Sequence, residues 1–456
     1  MQELPLSIDR SAARPLAVQV ADELRAAATA GRLRGGDRLP SSRALARQLG
    51  VSRTVVTAAY DQLHAEGWTA GRHGSGTYLA AAPATVPEST EPQLLSGHDS
   101  GLLDLTPGTP CAEVIDRAAW RRAWRAAGDH APSIRKYRAG DPDYLAAVTE
   151  HLLRHRGLTP GRESAISATA GTGSAVCELA RALLRPGDAV AIEDPGYQRA
   201  AGGLRDAGIQ VVPVPVDAGG IRVDRIPTGV RAVYCTPAHQ FPLGARMPAR
   251  RRVELVDFAR RIGSWIIEDD YDGELRYDSA PLPLLATLAP DRVIHLGTTS
   301  KILSTTLGAG WLVAPVDVAK AILAHRESTG TGPAAAGQLV VAELARHGDL
   351  SRHLRRLRRD MPSRRALVVD ELRARGLDVL GDHAGSHVLV RLGSAAAEQQ
   401  AVAGTQQRGV QLDALARHHI GRPHIFGTPV GYAALPRAEL RQAVVIAAEC
   451  LATVDN

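Results

Sequence analysis

Five short apolar runs, at 189–192, 210–214, 232–235, 265–267 and 293–296, alternate with helical patterns through the middle of the 456-residue chain. That alternation is the pattern of an α/β domain built on a largely parallel sheet. In open sheets of this kind, ligand sites form where strands end at their carboxyl termini. The fourth run leads into Glu268, Asp269, Asp270, Tyr271 and Asp272, and the fifth into Gly297, Thr298, Thr299, Ser300 and Lys301. These residues are the first candidates for a site.

Composition sharpens the choice at Lys301. Of 54 basic residues only Lys136, Lys301 and Lys320 are lysines, so arginine serves wherever plain positive charge is enough. Arginine cannot act as a nucleophilic amine, whereas a lysine at a strand end can form a Schiff base with an aldehyde cofactor. Asp269 can pair with a pyridinium nitrogen and keep such a ring an electron sink. Upstream, Ala170, Gly171, Thr172, Gly173 and Ser174 open a predicted helix running to Leu184, and the N–H groups of a helix start bind phosphate. Tyr197, after Asp194, Pro195 and Gly196, can stack on a ring. The glycines at 171 and 173 lack the third member of GxGxxG, which sets a dinucleotide site aside. Taken in order, these residues describe a pyridoxal phosphate pocket.

The first eighty residues read differently. Between Arg25 and Arg72 eight arginines stand against Asp37, Asp61 and Glu66, although the whole chain carries only +6. A local surplus of this kind points to a polyanion partner. Helical spacing begins at Leu16. A serine cap at Leu39-Pro40-Ser41-Ser42-Arg43 precedes a second helix closed by Gly50, and Ser52 caps a third. Two short helices joined at Leu49-Gly50-Val51-Ser52 form a helix-turn-helix, whose second helix would offer Ser52, Arg53, Thr54 and Thr57 to base edges. Trp68 to Gly71 and Thr77 to Leu79 flank a basic wing tip that includes Arg72, His73 and Gly74. Residues 81–101, rich in Pro, Ser, Thr and Glu, read as a linker. The expected division is therefore 1–80 for the DNA-binding head, 81–101 for the linker and 102–456 for the α/β domain, to which the resemblance below gives an effector-sensing role.

These motifs resemble two families. Leu39 to Arg43, Leu49 to Thr54 and Gly74 to Thr77 are similar to the winged helix-turn-helix of GntR regulators. The stretches at 193–197, 236–244, 267–272 and 296–301 resemble a fold-type I aminotransferase, the fold of pyridoxal phosphate-dependent transferases. Joined in one chain, they resemble the MocR/GabR group of transcriptional regulators. The resemblance implies that the cofactor is held as an aldimine on Lys301, that Asp269 pairs with the pyridine nitrogen and that Tyr271 binds the phenolic oxygen. It further implies that Tyr197 stacks on the ring, that Gly171, Thr172, Gly173, Thr298 and Ser300 surround the phosphate, and that Tyr137 reaches the phosphate of a partner subunit in a homodimer. Ser41, Ser42 and Arg43 join the third-helix and wing residues in facing a double-stranded operator.

Two positions depart from the family pattern. Gly308 stands where an arginine usually grips the phosphate, and Pro429 where another usually holds a substrate carboxylate, with Arg422 the nearest upstream replacement. The expected protein is a DNA-binding regulator that senses pyridoxal phosphate, an amine or an amino acid. The alternatives are a regulator whose sensor has lost the cofactor and, less expected, an active aminotransferase. No apolar run approaches the roughly 18 residues of a membrane span, so a cytoplasmic location is expected. The four cysteines are expected to be reduced. His418, His419 and His424 show no zinc-ligand spacing, so no metal is expected. The arginines from Arg352 to Arg365 read as one solvated helix face.

Overall fold

The spacing that begins at Leu16 produces α1 (Leu16–Thr29), which buries Val20, Leu24 and Ala27 against α2 (Ser42–Leu49) and α3 (Arg53–Ala65). Ser41 Oγ accepts from the Ala44 N–H at 3.2 Å and Ser52 Oγ from Val55 at 3.4 Å, so each serine satisfies one orphan donor of its helix. Gly50 ends α2 at φ +64°, the left-handed conformation that the turn between the two helices requires. The wing is the antiparallel pair β1 (Thr69–Arg72) and β2 (Gly76–Leu79). The structure, a computed structural model, describes residues 5–72, 76–80, 101–131, 136–277, 283–381 and 383–454. His73, Gly74 and all of the expected linker except Gly101 lie outside the described residues. The chain divides into two compact units, 1–98 and 99–456.

In the second unit, β3 (Leu103–Asp104) precedes the main sheet. That sheet contains β4 (Ser164–Thr169), β5 (Ala189–Asp194), β6 (Gln210–Asp217), β7 (Gly220–Ile221), β8 (Ala232–Cys235), β9 (Trp265–Asp269), β10 (Val293–Thr298) and β11 (Gly310–Pro315). Their spatial order is β4-β11-β10-β9-β8-β5-β6-β7. Strands β10, β9, β8, β5 and β6 pair in parallel, while β11 runs antiparallel between β10 and β4. The five runs seen in the sequence are β5, β6, β8, β9 and β10. Most extend two or three residues further at the carboxyl end, where acidic side chains are drawn inside. One such side chain, Glu268, accepts from the Leu285 and Ala286 N–H groups at 2.7 and 3.1 Å.

Strand side chains alternate between two cores. Val233, Cys235, Ile266 and Val293 belong to one, and Tyr234, Ile267, Ile294 and Leu296 to the other. Burial on both faces explains why these strands read as unbroken apolar runs. A smaller sheet is built of β12 (Val379–Leu380), β13 (His387–Leu392) and β15 (Phe426–Gly431), and β14 (Val410–Gln411) pairs with β3. No described helix is long and apolar enough to cross a membrane.

The arginine-rich stretch departs from its sequence reading. It lies on the helix Asp349–Arg373, but Arg364 and Arg365 are buried. Arg364 donates to Asp360 Oδ2 at 2.5 Å and to the Leu435 carbonyl at 2.8 Å. A buried guanidinium needs such partners, so Arg364 pins the helix to the chain's last segment instead of facing water.

Candidate functional site

The carboxyl ends of β4, β5, β8, β9 and β10 meet at one rim, and the predicted pocket residues lie along it. Lys301 follows β10 by three residues, and its Nζ donates to the Gly108 carbonyl at 2.6 Å. Burial lowers the amine's pKa, opposed by the charges of Asp272 and Asp269 and assisted by that of Arg199. A lysine in this setting gives up its proton more readily than one in water, as attack on a carbonyl requires.

Asp269 ends β9 in full burial. Its Oδ2 accepts from the Tyr234 hydroxyl at 2.5 Å, while its Oδ1 has no hydrogen-bond partner. Burial pushes this carboxyl up to about 7 against the Tyr234 hydrogen bond, the nearby Thr172 hydroxyl and the charge of Lys301, with Asp270 adding to the rise. Tyr271 lies on the loop after β9. Its hydroxyl is 3.1 Å from His239 Nδ1, which in turn donates to Asp272 Oδ2 at 2.8 Å, leaving buried His239 Nε2 without a partner. Proton placement on this imidazole follows from the carboxylate beside it.

Tyr197 directly follows the Asp194–Pro195–Gly196 turn at the end of β5. Its ring meets Phe241 edge-on at 6.0 Å, and Phe241 meets Tyr271 in the same manner at 6.1 Å. The helix Thr172–Leu183 starts at Gly171, at φ +120°, with no side chain capping its first N–H groups. Side chains of the rim come within contact of the glycines at 171 and 173, and closer still at Gly108. A Cβ on Gly171 would stand 3.7 Å from Thr298 Oγ1, one on Gly173 3.7 Å from the Tyr197 hydroxyl, and one on Gly108 2.9 Å from Lys301 Nζ. Thr298 Oγ1 donates to Ser300 Oγ at 3.0 Å. The structure thus brings Lys301, Asp269, Tyr271, Tyr197, Gly171, Thr172, Gly173, Thr298 and Ser300 to one rim.

Tyr137 is not part of that rim. It is 49% exposed and lines an open groove of about 760 Å³ with Trp124, Arg138 and Pro333. Gly308 sits at φ +56°, closing the short turn Thr305–Leu307, and a Cβ there would meet nothing within 4 Å. Pro429 lies within β15 opposite Leu389, and Arg422 is exposed. The sequence reading missed Tyr234, His239 and Arg199. Arg199 is exposed on the first turn of the helix Gln198–Asp206, and its charge acts on both Lys301 and Tyr197. Its place two residues beyond Tyr197 was the available signal.

In the head, Arg43, Arg53, Thr54 and Thr57 are exposed at the start of α2 and along α3. Arg53 Nε donates to Ser42 Oγ at 3.2 Å, and the Thr57 hydroxyl donates back to the Arg53 carbonyl at 3.0 Å. Ser41 and Ser52 are engaged as caps, and Arg72 ends β1.

Both halves match known families. The family described as bacterial regulatory proteins, gntR family, matches residues 16–79, and aminotransferase class I and II matches residues 103–445. The chain belongs to the MocR-type transcriptional regulators, a GntR head fused to an aminotransferase-like domain. It is 35% identical to the HTH-type pyridoxine biosynthesis transcriptional regulator PdxR of Corynebacterium glutamicum over 82% of each chain. It is 32% identical to the probable rhizopine catabolism regulatory protein MocR of Rhizobium meliloti, covering 96% of this chain and 94% of that one. The sensor fold is similar to that of the Pyrococcus horikoshii kynurenine aminotransferase solved with PMP, with TM-score 0.71 and 23% identity over 77% of this chain and 91% of the other.

The raised carboxyl gives this MocR-type regulator a testable pH signature. Asp269 is held at about 7 in the fold against an ordinary value of 3.8, so between these values the folded state binds more protons than the unfolded chain. Stability therefore falls as pH rises through that window. In cofactor-free protein, Asp269→Asn should flatten the decline of melting temperature between about pH 4 and pH 7. Equal slopes for the two proteins would show that Asp269 is not a buried, uncompensated carboxylate.

Proposed function

We propose that this regulator binds pyridoxal 5'-phosphate at Lys301, and that occupancy of the pocket by the cofactor, or by an amine reacting with it, sets the head's affinity for its operator. The observation that carries the reading is Asp269, a fully buried carboxylate with Oδ1 unpartnered, on the same rim as the largely buried Lys301. A buried carboxylate oxygen left without a donor is costly, and a pyridine ring nitrogen carrying a proton is a donor that could meet it. Lys301 provides the attaching amine. Tyr271 and His239 can hold the phenolic oxygen, Tyr197 covers the ring, and Gly171, Thr172, Gly173, Thr298 and Ser300 offer N–H and hydroxyl groups to the phosphate. Bound there, the cofactor supplies an aldehyde and an electron-withdrawing ring. Exposed Tyr137 is then available to the second subunit of a homodimer.

Sensing, not turnover, is the role favoured by Pro429, which leaves no cation at the usual place for a substrate carboxylate. The relatives' names point to the effector class, since one refers to pyridoxine biosynthesis and another to rhizopine catabolism. An effector shifts a two-state regulator only through different affinities for the two states. Adding pyridoxal phosphate, alone or with candidate amines, should therefore change operator affinity by roughly 5- to 150-fold, the usual span of allosteric coupling. Fluorescence anisotropy on a labelled operator measures it, and an unchanged affinity under all conditions would reject the proposal.

Gly308 favours a second reading, in which the sensor has given up the cofactor and takes another ligand. Loss of one charge-assisted hydrogen bond to phosphate costs roughly 1.5–3 kcal/mol, about ten- to a hundredfold in affinity. Under that reading operator affinity responds to other ligands and is indifferent to pyridoxal phosphate.

A further inference from the structure

The sequence shows His418, His419 and His424 close together without a metal-ligand spacing. The fold changes the grouping, because the third partner comes from far upstream on β5. Among the described residues, Asp194, His419 and His424 each offer one ligand atom, and the three atoms lie within 4.8 Å of one another.

The arrangement around His419 has an unfilled place. Its side chain is fully buried, and its Nε2 donates to the Ile425 carbonyl at 3.0 Å. That bond puts the proton of the neutral ring on Nε2 and leaves Nδ1 with a bare lone pair. Nδ1 stands 3.3 Å from Asp194 Oδ1 without a hydrogen bond in this geometry. Burial lowers the ring's pKa, but Asp194 and the Ile425 carbonyl outweigh burial and raise it, so a proton competes with any cation for this place. Two acceptors facing one another in burial repel unless something positive lies between them. Asp194 is meanwhile fixed by the Ile420 and Gly421 N–H groups, at 2.8 and 3.2 Å. His424 is exposed, its ring centroid 4.7 Å from that of His419, and its Nδ1 faces the Arg422 carbonyl at 3.4 Å, which leaves Nε2 for a ligand.

We propose that Asp194, His419 and His424 form a site for a borderline divalent cation of the zinc class. Two ligands held about 2.0–2.1 Å from a tetrahedral zinc ion stand roughly 3.3–3.4 Å apart, which is the separation of His419 Nδ1 and Asp194 Oδ1. Two imidazoles and one carboxylate suit zinc, cobalt or nickel over calcium or magnesium, and water completes the coordination. The backbone carbonyl on His419 Nε2 is the outer partner that orients a ligating histidine. His419 and His424 lie on the segment leading into β15 of the smaller sheet, while Asp194 ends β5 of the main one. The ion therefore clamps the two sheets together just before Tyr197, independently of any cofactor at Lys301.

The test is titration of tag-free, full-length protein with Co²⁺, followed by its visible ligand-field absorption. Wild-type protein should saturate at one ion per chain, with zinc displacing the cobalt. His424→Gln removes an exposed ligand without disturbing the core and should weaken binding by more than the roughly 10- to 100-fold typical of losing an outer-shell partner. His419→Gln should do the same, whereas His130→Gln, on an exposed histidine elsewhere, should leave binding unchanged. No band, equal affinity in wild type and His424→Gln, or a near-ultraviolet thiolate band marking a cysteine site would each overturn the proposal. The first of these would mean that a proton alone fills the gap between Asp194 and His419.

Discussion

Purified protein mixed with pyridoxal 5'-phosphate is expected to develop a visible absorption band that Lys301→Ala lacks. Scarcity is the first reason: Lys301 is one of three lysines in the chain, with Lys136 and Lys320 both exposed. Lys301 is largely buried, which favours its neutral amine, and of the three it is the one that stands on the rim with Asp269. Removing it should eliminate covalent attachment while leaving the fold intact. The hydrogen bond lost is the one to Gly108, and hydrogen bonds to charged groups contribute about 1.5–3 kcal/mol. Far-ultraviolet circular dichroism of the variant should match wild type. A band that survives in Lys301→Ala would put the cofactor on another amine, and no band in either protein would favour the cofactor-free regulator that Gly308 suggests.

How far the sequence revealed the site depends on where each residue's partners lie. Lys301, Asp269 and Tyr197 could be read because each closely follows an apolar run, and strand ends place neighbours in sequence on a common rim. Gly171 and Thr172 could be read for the same reason at a helix start. His239 is different. Its value comes from Tyr271 and Asp272 on the loop after another strand, a meeting that sheet order creates and local pattern does not encode. Tyr234 looked like core because it alternates as core, and its hydroxyl reaches Asp269 only through the parallel pairing of β8 and β9. Strand β4 escaped because Ser164–Thr169 is mostly small and polar, with no β-branched run to mark it. The arginine stretch misled because a count of charge says nothing of depth, and Arg364 finds its partners at Asp360 and the Leu435 carbonyl. Asp194 and His419 were invisible as a pair for the same reason as His239.

The second large effect belongs to the head. Arg53→Ala is expected to weaken operator binding by roughly 1–3 kcal/mol if the guanidinium reads a guanine edge. Arg53 is the first residue of α3, exposed at the end of the helix that enters the major groove in helix-turn-helix modules. Its Nε is already oriented by Ser42 Oγ at 3.2 Å, which fixes the side chain across the junction of α2 and α3 and reduces the ordering cost on binding. Binding to a panel of single-base operator variants separates the two contacts available to it. If Arg53 reads a base, one operator position becomes indifferent in Arg53→Ala while the others keep their penalties. If it touches phosphate, all sequences weaken alike and the salt dependence of binding falls by about one unit of slope. Arg43, exposed on α2 without such a brace, is expected to follow the phosphate pattern. The difference between the two arginines therefore rests on the Ser42 contact. Ser42→Ala should reproduce part of the Arg53→Ala loss, and normal operator binding by Ser42→Ala would show that the contact does not orient Arg53 for DNA.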